Sequence, residues 1–435
     1  MAAAEGEEEL RIGVAGLGTV GVATVGLLAG NAELIAGRCG RPIRVVAVSA
    51  RDRARARGVD LTGCRWCDDP LALAADPEVD AVAELIGGAD GPALALCRAA
   101  LSAGKPVVTA NKAMLAHYGA ELAALAEEGG AALAFEAAVA GGIPILKALR
   151  EGLIGNRVRR VSGILNGTSN YILTAMRESG REFDAVLAEA QGLGYAEADP
   201  GFDVDGVDAA HKLALLAALA FGAAPDFEHV YTEGIRHVTP IDIAFATEMG
   251  YRIKLLAVAR LTEHGLEQRV HPTMVPLEAP ISQVEGVYNA VAVEGDAVGA
   301  TLFHGRGAGG GPTASAVVAD LVDLARGARP RAFGVPATAL RRLPPAPLER
   351  HVGAYYIRLT VVDRPGVMAD LTARLRDHRV SIEALIQRGR DPGESVPVVL
   401  TTHETSEAAL TAALGEIDAL DSVLEPPRMI RIEAL

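Results

Sequence analysis

Cysteine is scarce in this chain: 435 residues hold four, Cys39, Cys64, Cys67 and Cys97, all before residue 100. That usage does not describe a disulfide-braced secreted domain, and it makes a reducing cytoplasm the expected compartment. Cys64-Arg65-Trp66-Cys67 has the spacing of a redox or zinc pair but no second pair to complete a metal site, so ordinary thiols are expected. Positive charge is also short. The net charge of -14 argues against a general nucleic-acid binder or a polybasic membrane-surface protein, although it leaves room for a local cationic pocket. No apolar run reaches the length of a membrane span, and Leu213–Phe221 is far too short. The acidic opening MAAAEGEEEL has no apolar core, so no signal peptide is expected.

What is present is apolar bulk. Half the residues are hydrophobic and 22% are charged, a globular composition, and the length calls for two or three domains. Residues 1–9 read as a solvated tail. Over 10–135, short apolar runs at Arg11–Ala15, Ile43–Ser49, Ala81–Ile86, Val107–Thr109 and Ala132–Phe135 alternate with helical stretches at Val20–Ala29, Gly91–Ala103 and Tyr118–Glu128. That alternation predicts an α/β, Rossmann-type parallel sheet with helices on both faces. Residues 136–334 place helices before β-type runs at Ile253–Leu261, Gln268–Met274 and Asn289–Glu294. This predicts an α+β domain for substrate, catalysis and dimerisation, with a closing helix near Thr313–Arg326 that could pack back on the first domain. A Pro-, Arg- and Ala-rich stretch, 335–353, reads as a linker. Over 354–435, strands at Tyr355–Val362, Ser381–Arg388, Val396–Thr402 and Arg428–Ile432, with helices after Pro365-Gly366 and at Ser406–Ile417, give βαββαβ, a ferredoxin-like unit.

Gly16-Leu17-Gly18-Thr19-Val20-Gly21 follows a strand and opens a helix. The first glycine allows the tight turn and the second lets backbone approach a pyrophosphate. The third allows close helix–strand packing, while the helix N-terminus attracts the phosphates. In that context the pattern predicts a dinucleotide site. The second strand ends at Ser49 and is followed by Ala50-Arg51-Asp52-Arg53. Ser49 cannot offer the carboxylate that bonds a ribose hydroxyl, whereas Arg51 can form paired bonds to a 2′-phosphate. NADP is therefore favoured, and Asp52 leaves NAD open. Arg53, Arg55 and Arg57 also allow a plain solvated basic loop.

The densest polar cluster is Gly194 to Lys212, with Glu197, Asp199, Asp203, Asp205, Asp208, His211 and Lys212. Asp208 and Lys212, four apart, share a helix face that continues as Leu215 and Leu219. Charge at the mouth of such an apolar helix is costly unless paired or employed, and a lysine there can have a lowered pKa and donate a proton. Glu197 and Asp208 offer acceptors for an ammonium group. His211, a step around the helix, reads as a packing residue.

At these residues the chain resembles the homoserine dehydrogenases. The stretch from Gly192 through Asp208 to Lys212 is similar to that family's signature. So are Val107–Lys112, Phe135–Pro144, Gly163–Asn170 and Gly307–Ser315, in the same order over nearly the whole chain. The resemblance implies reversible NAD(P)H-dependent reduction of L-aspartate 4-semialdehyde to L-homoserine, on the route to threonine and methionine. It implies Lys212 as the proton donor beside Asp208, with Glu197 and Asp203 binding substrate. Lys112 would lie close to cofactor and substrate, and Gly307 near the nicotinamide. It further implies a monovalent cation, sodium, at Glu136, Val139, Gly141 and Ile143, although Ala140 stands where glycine is common in the family and a tight domain hinge is the plainer explanation. The C-terminal segment, with Asp363-Arg364-Pro365-Gly366-Val367, resembles an ACT domain. Threonine is then the expected effector, with assembly alone as the alternative, and a homodimer or homotetramer is expected.

Two rival functions are disfavoured. A semialdehyde-oxidising enzyme would form a thioester on cysteine, and no cysteine falls in the carboxylate cluster. A non-catalytic sensor on the same fold has no need of a lysine proton donor.

Overall fold

The computed structural model describes residues 9–388 and 395–434; most of the sequence-predicted tail, residues 1–8, lies outside the described residues. The first six strands, β1 (Leu10–Ala15), β2 (Ile43–Ser49), β3 (Arg65–Trp66), β4 (Ala81–Glu84), β5 (Val107–Thr109) and β6 (Leu133–Ala134), form one sheet in the order β3-β2-β1-β4-β5-β6. Every pairing is parallel. Such a sheet is buried on both faces, so Ile12, Val14, Val82, Val107 and Val108 are all fully buried. The strand order reverses between β1 and β4, and the crevice outside that switch point is where such sheets take their ligands. Two expected elements differ at their ends. The strand expected at Ala81–Ile86 stops at Glu84, because the Glu84 carboxylate bonds the backbone N–H groups of Ile86 and Gly87 and turns the chain. The helix expected from Tyr118 begins at Lys112, because the Asn111 side chain caps it by accepting from the Met114 N–H.

A second sheet combines β7 (Val158–Ile164), β8 (Tyr231–Thr232), β9 (Tyr251–Thr262), β10 (Gly265–Pro276), β11 (Tyr288–Gly295) and β12 (Gly299–Arg306) with β13 (Val352–Val362), β14 (Ile382–Gln387), β15 (Ser395–Thr402), β16 (Thr405–Ser406) and β17 (Arg428–Ile432). Its path is β12-β11-β7-β9-β10-β17-β13-β15-β14, with β8 on β10 and β16 on β13. The C-terminal unit has the predicted βαββαβ order. Its last strand lies parallel to β10 (Thr273 beside Arg431, Met274 beside Ile432), so the two halves share one continuous sheet. The seam is charged. Fully buried Arg269 bonds Glu267 at 2.5 Å and pairs with Glu433, while Arg431 bonds Glu407 at 2.9 Å and Glu233 at 3.2 Å. Edge strand β12 was not expected from sequence, since its glycines and half-exposed side chains give no clear alternation.

The helix Gly310–Ala325 packs on Thr19–Gly30, sharing a core of Leu17, Val25, Val317 and Leu321. The stretch read as a linker lies pinned along the molecule: the Ala337 N–H donates to Glu127, and the Leu266 N–H to the Pro344 carbonyl at 2.9 Å. All four cysteines are free thiols. No single helix among the described residues is long and apolar enough to cross a membrane.

Candidate active site

The glycine turn is shaped by contacts that only glycine permits. Gly16 takes a φ of +97°, and a Cβ there would lie 2.3 Å from the Leu85 carbonyl oxygen. A Cβ on Gly21 would lie 2.0 Å from the Gly16 carbonyl oxygen, whereas one on Gly18 would meet nothing within 4 Å. The first and third glycines therefore serve the protein's own packing, and the second leaves space for something else. The helix Thr19–Gly30 starts at Gly18 without a side-chain cap, leaving its first N–H groups for a ligand. Beside the turn is a cleft of about 740 Å³, lined by Gly16, Gly18, Ser49, Arg51, Arg55 and Arg57 among others. That volume is in the range of cofactor sites. The Asp52 carboxylate accepts from the Ala54 and Arg55 N–H groups at 2.9 and 3.2 Å. It shapes its own loop, and it lines the cleft together with Arg51, Arg55, Arg57 and Asp68. The sequence singled out Arg51; Arg55 and Arg57 joined it only in three dimensions.

The carboxylate–lysine cluster forms where the helix Val207–Phe221 begins. Leu213, Leu215 and Leu216 on it are wholly buried, each contributing about 1.5–3 kcal/mol to anchoring the helix. Lys212 Nζ donates to Asp208 Oδ2 and to the Leu165 carbonyl, both at 2.7 Å. Lys112 Nζ reaches Asp208 Oδ1 at 3.2 Å from the N-terminal end of its own helix, just past β5. Lys112 thus bridges the C-terminal end of β5 in the parallel sheet and the buried pair. Asn166, which caps the helix Gly167–Ser179, donates to Asp203 at 2.7 Å and to Asp208 at 2.9 Å. Burial works against the Asp208 carboxylate, but two ammonium groups and Asn166 outweigh it and hold its pKa at about 2. Burial lowers the Lys212 pKa. Asp208 opposes that shift, but it is shared with Lys112, whose like charge pushes in the same direction as burial. The Asp203 carboxyl is pushed up, chiefly by burial.

Not every sequence-predicted residue joins this cluster. Glu197 stands exposed, and among the described residues its backbone carbonyl alone is engaged, by Gln191 at 3.0 Å. His211 stacks on Phe227, with ring centroids 4.0 Å apart, and its Nδ1 lies 2.9 Å from the Val207 carbonyl. That is the packing role expected of it. A network missed by sequence reasoning lies beneath Lys112. Wholly buried Glu84 accepts from Thr109 Oγ1 at 2.6 Å, Thr109 Oγ1 accepts from the Asn111 N–H at 3.0 Å, and Asn111 Nδ2 donates to the Gly88 carbonyl at 2.7 Å. A buried glutamate ending an otherwise apolar strand was the available signal.

Gly307 lies where three turns meet. A Cβ on Gly141 would be 2.4 Å from the Gly307 carbonyl oxygen, and one on Gly310 would be 3.2 Å from Thr19 Cγ2. Glu136, Val139, Gly141 and Ile143 fall in one tight turn, with Ala140 and Gly141 both left-handed at φ +55° and +49°. The buried carbonyls of Val139 and Gly141 have no hydrogen-bond donor among the described residues. The Glu136 carboxylate accepts from the Leu146 and Lys147 N–H groups at 2.9 and 2.8 Å, and burial together with Asp320 raises its pKa to about 7. Among the described residues no group of three His, Cys, Asp or Glu could hold a metal, so an ion in this turn would rely on carbonyl oxygens and one carboxylate.

A parallel sheet with a dinucleotide turn and cleft, together with a buried, carboxylate-held lysine that Lys112 links to the end of β5, defines an NAD(P)-dependent oxidoreductase. Comparison with known proteins agrees. Residues 16–136 match the model of the homoserine dehydrogenase NAD-binding domain, residues 144–322 that of homoserine dehydrogenase, and residues 355–421 that of the ACT domain. The homoserine dehydrogenase of Pseudomonas aeruginosa is 48% identical over 433 residues, covering 98% of this chain and 99% of its own. The crystal structure of a homoserine dehydrogenase from Thiobacillus denitrificans superposes with a TM-score of 0.93 at 50% identity, over 98% of this chain and 99% of that one. A mutant of a hyperthermophilic archaeal homoserine dehydrogenase in complex with NADPH matches at 28% identity and a TM-score of 0.62, over 73% of this chain and 97% of its own. The chain belongs to the homoserine dehydrogenase family, whose members are oxidoreductases acting on a CH–OH group.

Proposed function

We propose that this chain interconverts L-aspartate 4-semialdehyde and L-homoserine, with Lys212 as the acid that protonates the carbonyl oxygen. The observation that carries this is the buried Lys212 ammonium, held by Asp208, which Lys112 ties to the C-terminal end of β5 in the dinucleotide sheet. A bound nicotinamide supplies the hydride. Lys212 meets the negative charge that develops on the oxygen, and Asp208 orients the ammonium group. Asp203 and Glu197 are assigned to the substrate ammonium group. Asp203 already belongs to the network, whereas Glu197 would have to turn inward with its segment.

NADP is the assigned cofactor, supported by the three arginines around the cleft, by the engaged Asp52, and by the NADPH complex of the archaeal relative. Thr19 and Val20 would present their N–H groups to the pyrophosphate, and Gly307 would lie at the nicotinamide end. In an assay of homoserine oxidation that follows the absorbance of the reduced cofactor, NADP is expected to give the higher kcat/KM. Arg51→Ala is expected to erase that preference by about tenfold or more, as a lost charged hydrogen bond should. No oxidation with either cofactor would overturn the function, and equal effects of Arg51→Ala on both cofactors would overturn the 2′-phosphate assignment.

A monovalent cation, sodium, is assigned to Glu136, Val139, Gly141 and Ile143, supported by the two buried carbonyls without donors. The C-terminal unit is assigned as a threonine sensor. Its exposed edge strand β14 and the opposite edge β12 support assembly into a homodimer or homotetramer. Calorimetry on the full chain is expected to show heat on adding threonine. Absence of heat, with catalysis intact, would leave assembly as the role of that unit.

A further inference from the structure

Trp66 stands beside the loop that carries the arginines of the dinucleotide cleft. In β3 it pairs with Val48, next to the end of β2, where that loop begins. The half-buried ring packs on the core that Leu17, Val25 and Val48 share. It also meets two cations: the guanidinium carbons of Arg57 and Arg53 lie 5.3 and 5.8 Å from the ring centroid. An aromatic face attracts a guanidinium at that range.

Arg57 is committed to the loop itself. Its Nη1 donates to the Arg55 carbonyl at 2.7 Å, its Nη2 donates to the Asp52 carbonyl, and its Nε is shut off from solvent. It works as a clasp that closes residues 52–57 on themselves, and Trp66 supplies the surface on which the clasp rests. The Arg51 and Arg55 side chains are exposed at the cleft, and among the described residues no hydrogen bond or ion pair engages either of them. The charge explains why a clasp is needed. Arg51, Arg53, Arg55 and Arg57 fall within seven positions and repel one another. The cleft that three of them line also holds Asp52 and Asp68, so its positive excess is slight. Attraction for a phosphate there depends on where Arg51 and Arg55 are held, more than on how many arginines there are.

We infer that Trp66 is a positioning residue for cofactor choice. Its ring holds Arg57, Arg57 closes the loop, and the closed loop keeps Arg51 and Arg55 turned to the 2′-phosphate of the adenosine end. The inference rests on the NADP reading above. Trp66 is not among the residues that line the cleft, so it acts through the loop and not by touching the ligand. A tryptophan that only filled space would affect every adenine nucleotide alike. One that sets the arginines acts on those with a 2′-phosphate.

Titration calorimetry on the full chain tests this without turnover, with adenosine 2′,5′-bisphosphate and adenosine 5′-monophosphate as probes. The wild type is expected to prefer the bisphosphate by about tenfold or more. Trp66→Leu, checked for folding by thermal unfolding, should cut that preference by about three- to tenfold, through the bisphosphate alone. Trp66→Phe should recover most of it, because an aromatic face returns. In an Arg57→Gln background, Trp66→Leu should change the preference by less than about twofold, since both residues act on one path. Equal affinities in the wild type would overturn the cofactor reading, and this inference with it. Three results would overturn the role of Trp66 alone: both probes weakened alike or not at all in Trp66→Leu, no recovery in Trp66→Phe, or a full effect of Trp66→Leu in the Arg57→Gln background. If Trp66→Leu does not fold, Arg57→Gln decides, and a preference left intact there removes the clasp on which the inference stands.

Discussion

Lys212→Ala is expected to lower turnover by about 100-fold or more, the lower range for a lost general acid, which corresponds to about 2.7 kcal/mol of barrier. NADPH binding should persist, because the cleft that takes the dinucleotide is built from other residues. The pH profile should change as well. Burial lowers the Lys212 pKa below the ordinary 10.5, so its protonated form is lost on the alkaline side earlier than an exposed lysine would lose it. Aldehyde reduction needs the proton on the lysine and should fall as pH rises through that value. Homoserine oxidation needs the neutral amine and should rise over the same interval. In Lys212→Ala that limb should vanish from both directions. Lys212→Arg should not restore it, since a guanidinium keeps its proton throughout. Wild-type-like turnover, or an unchanged alkaline limb, would reject Lys212 as the acid.

The second large effect is expected at the phosphate turn, where two single-methyl changes should separate packing from binding. In Gly21→Ala the added carbon would sit 2.0 Å from the Gly16 carbonyl oxygen, so the helix must move off the strand. Overpacking of this kind costs about 1–3 kcal/mol of stability. Moving the helix N-terminus by even 1 Å can cost on the order of 100-fold in what it positions. In Gly18→Ala the new methyl meets no protein atom within 4 Å, so thermal stability should stay at the wild-type value. Cofactor affinity should nevertheless drop, because that space is where the pyrophosphate approaches. Fluorescence titration with NADPH and thermal unfolding, run on both variants, decide the matter. Unaltered affinity in Gly18→Ala would mean that no ligand passes over this turn.

Local chemistry made the most legible parts of the fold visible in the sequence. The glycine turn, the Asp208–Lys212 spacing and the βαββαβ order each depend on neighbours within one or two elements, and the structure contains all three. What sequence could not supply was the long-range half of the site. Lys112 and Asp208 meet although they stand 96 positions apart in the numbering, and nothing in either segment announces the other. Glu84, Thr109 and Asn111 come together only because β4 and β5 are adjacent in the sheet. Glu197 shows the opposite difficulty. Its place in a dense acidic run drew attention, but the run turns at Pro200 into the short helix Gly201–Val204, which carries Asp203 inward and leaves Glu197 outside. The early helix start at Lys112 was hidden because an asparagine cap identifies a boundary only once the helix behind it is known.

The junction of β10 with β17 has a mechanical consequence. A module attached by a flexible tether can tilt without disturbing its host, but here the final strand of the chain is woven into the middle of the larger fabric. Arg431 leaves that strand to grip Glu233, directly after β8, and two residues on the Ile235 N–H donates to the Val204 carbonyl at 2.9 Å, beside Gly234, where a Cβ would have no room. The terminal unit is therefore joined, through one ion pair and one close backbone approach, to the short helix that carries Asp203.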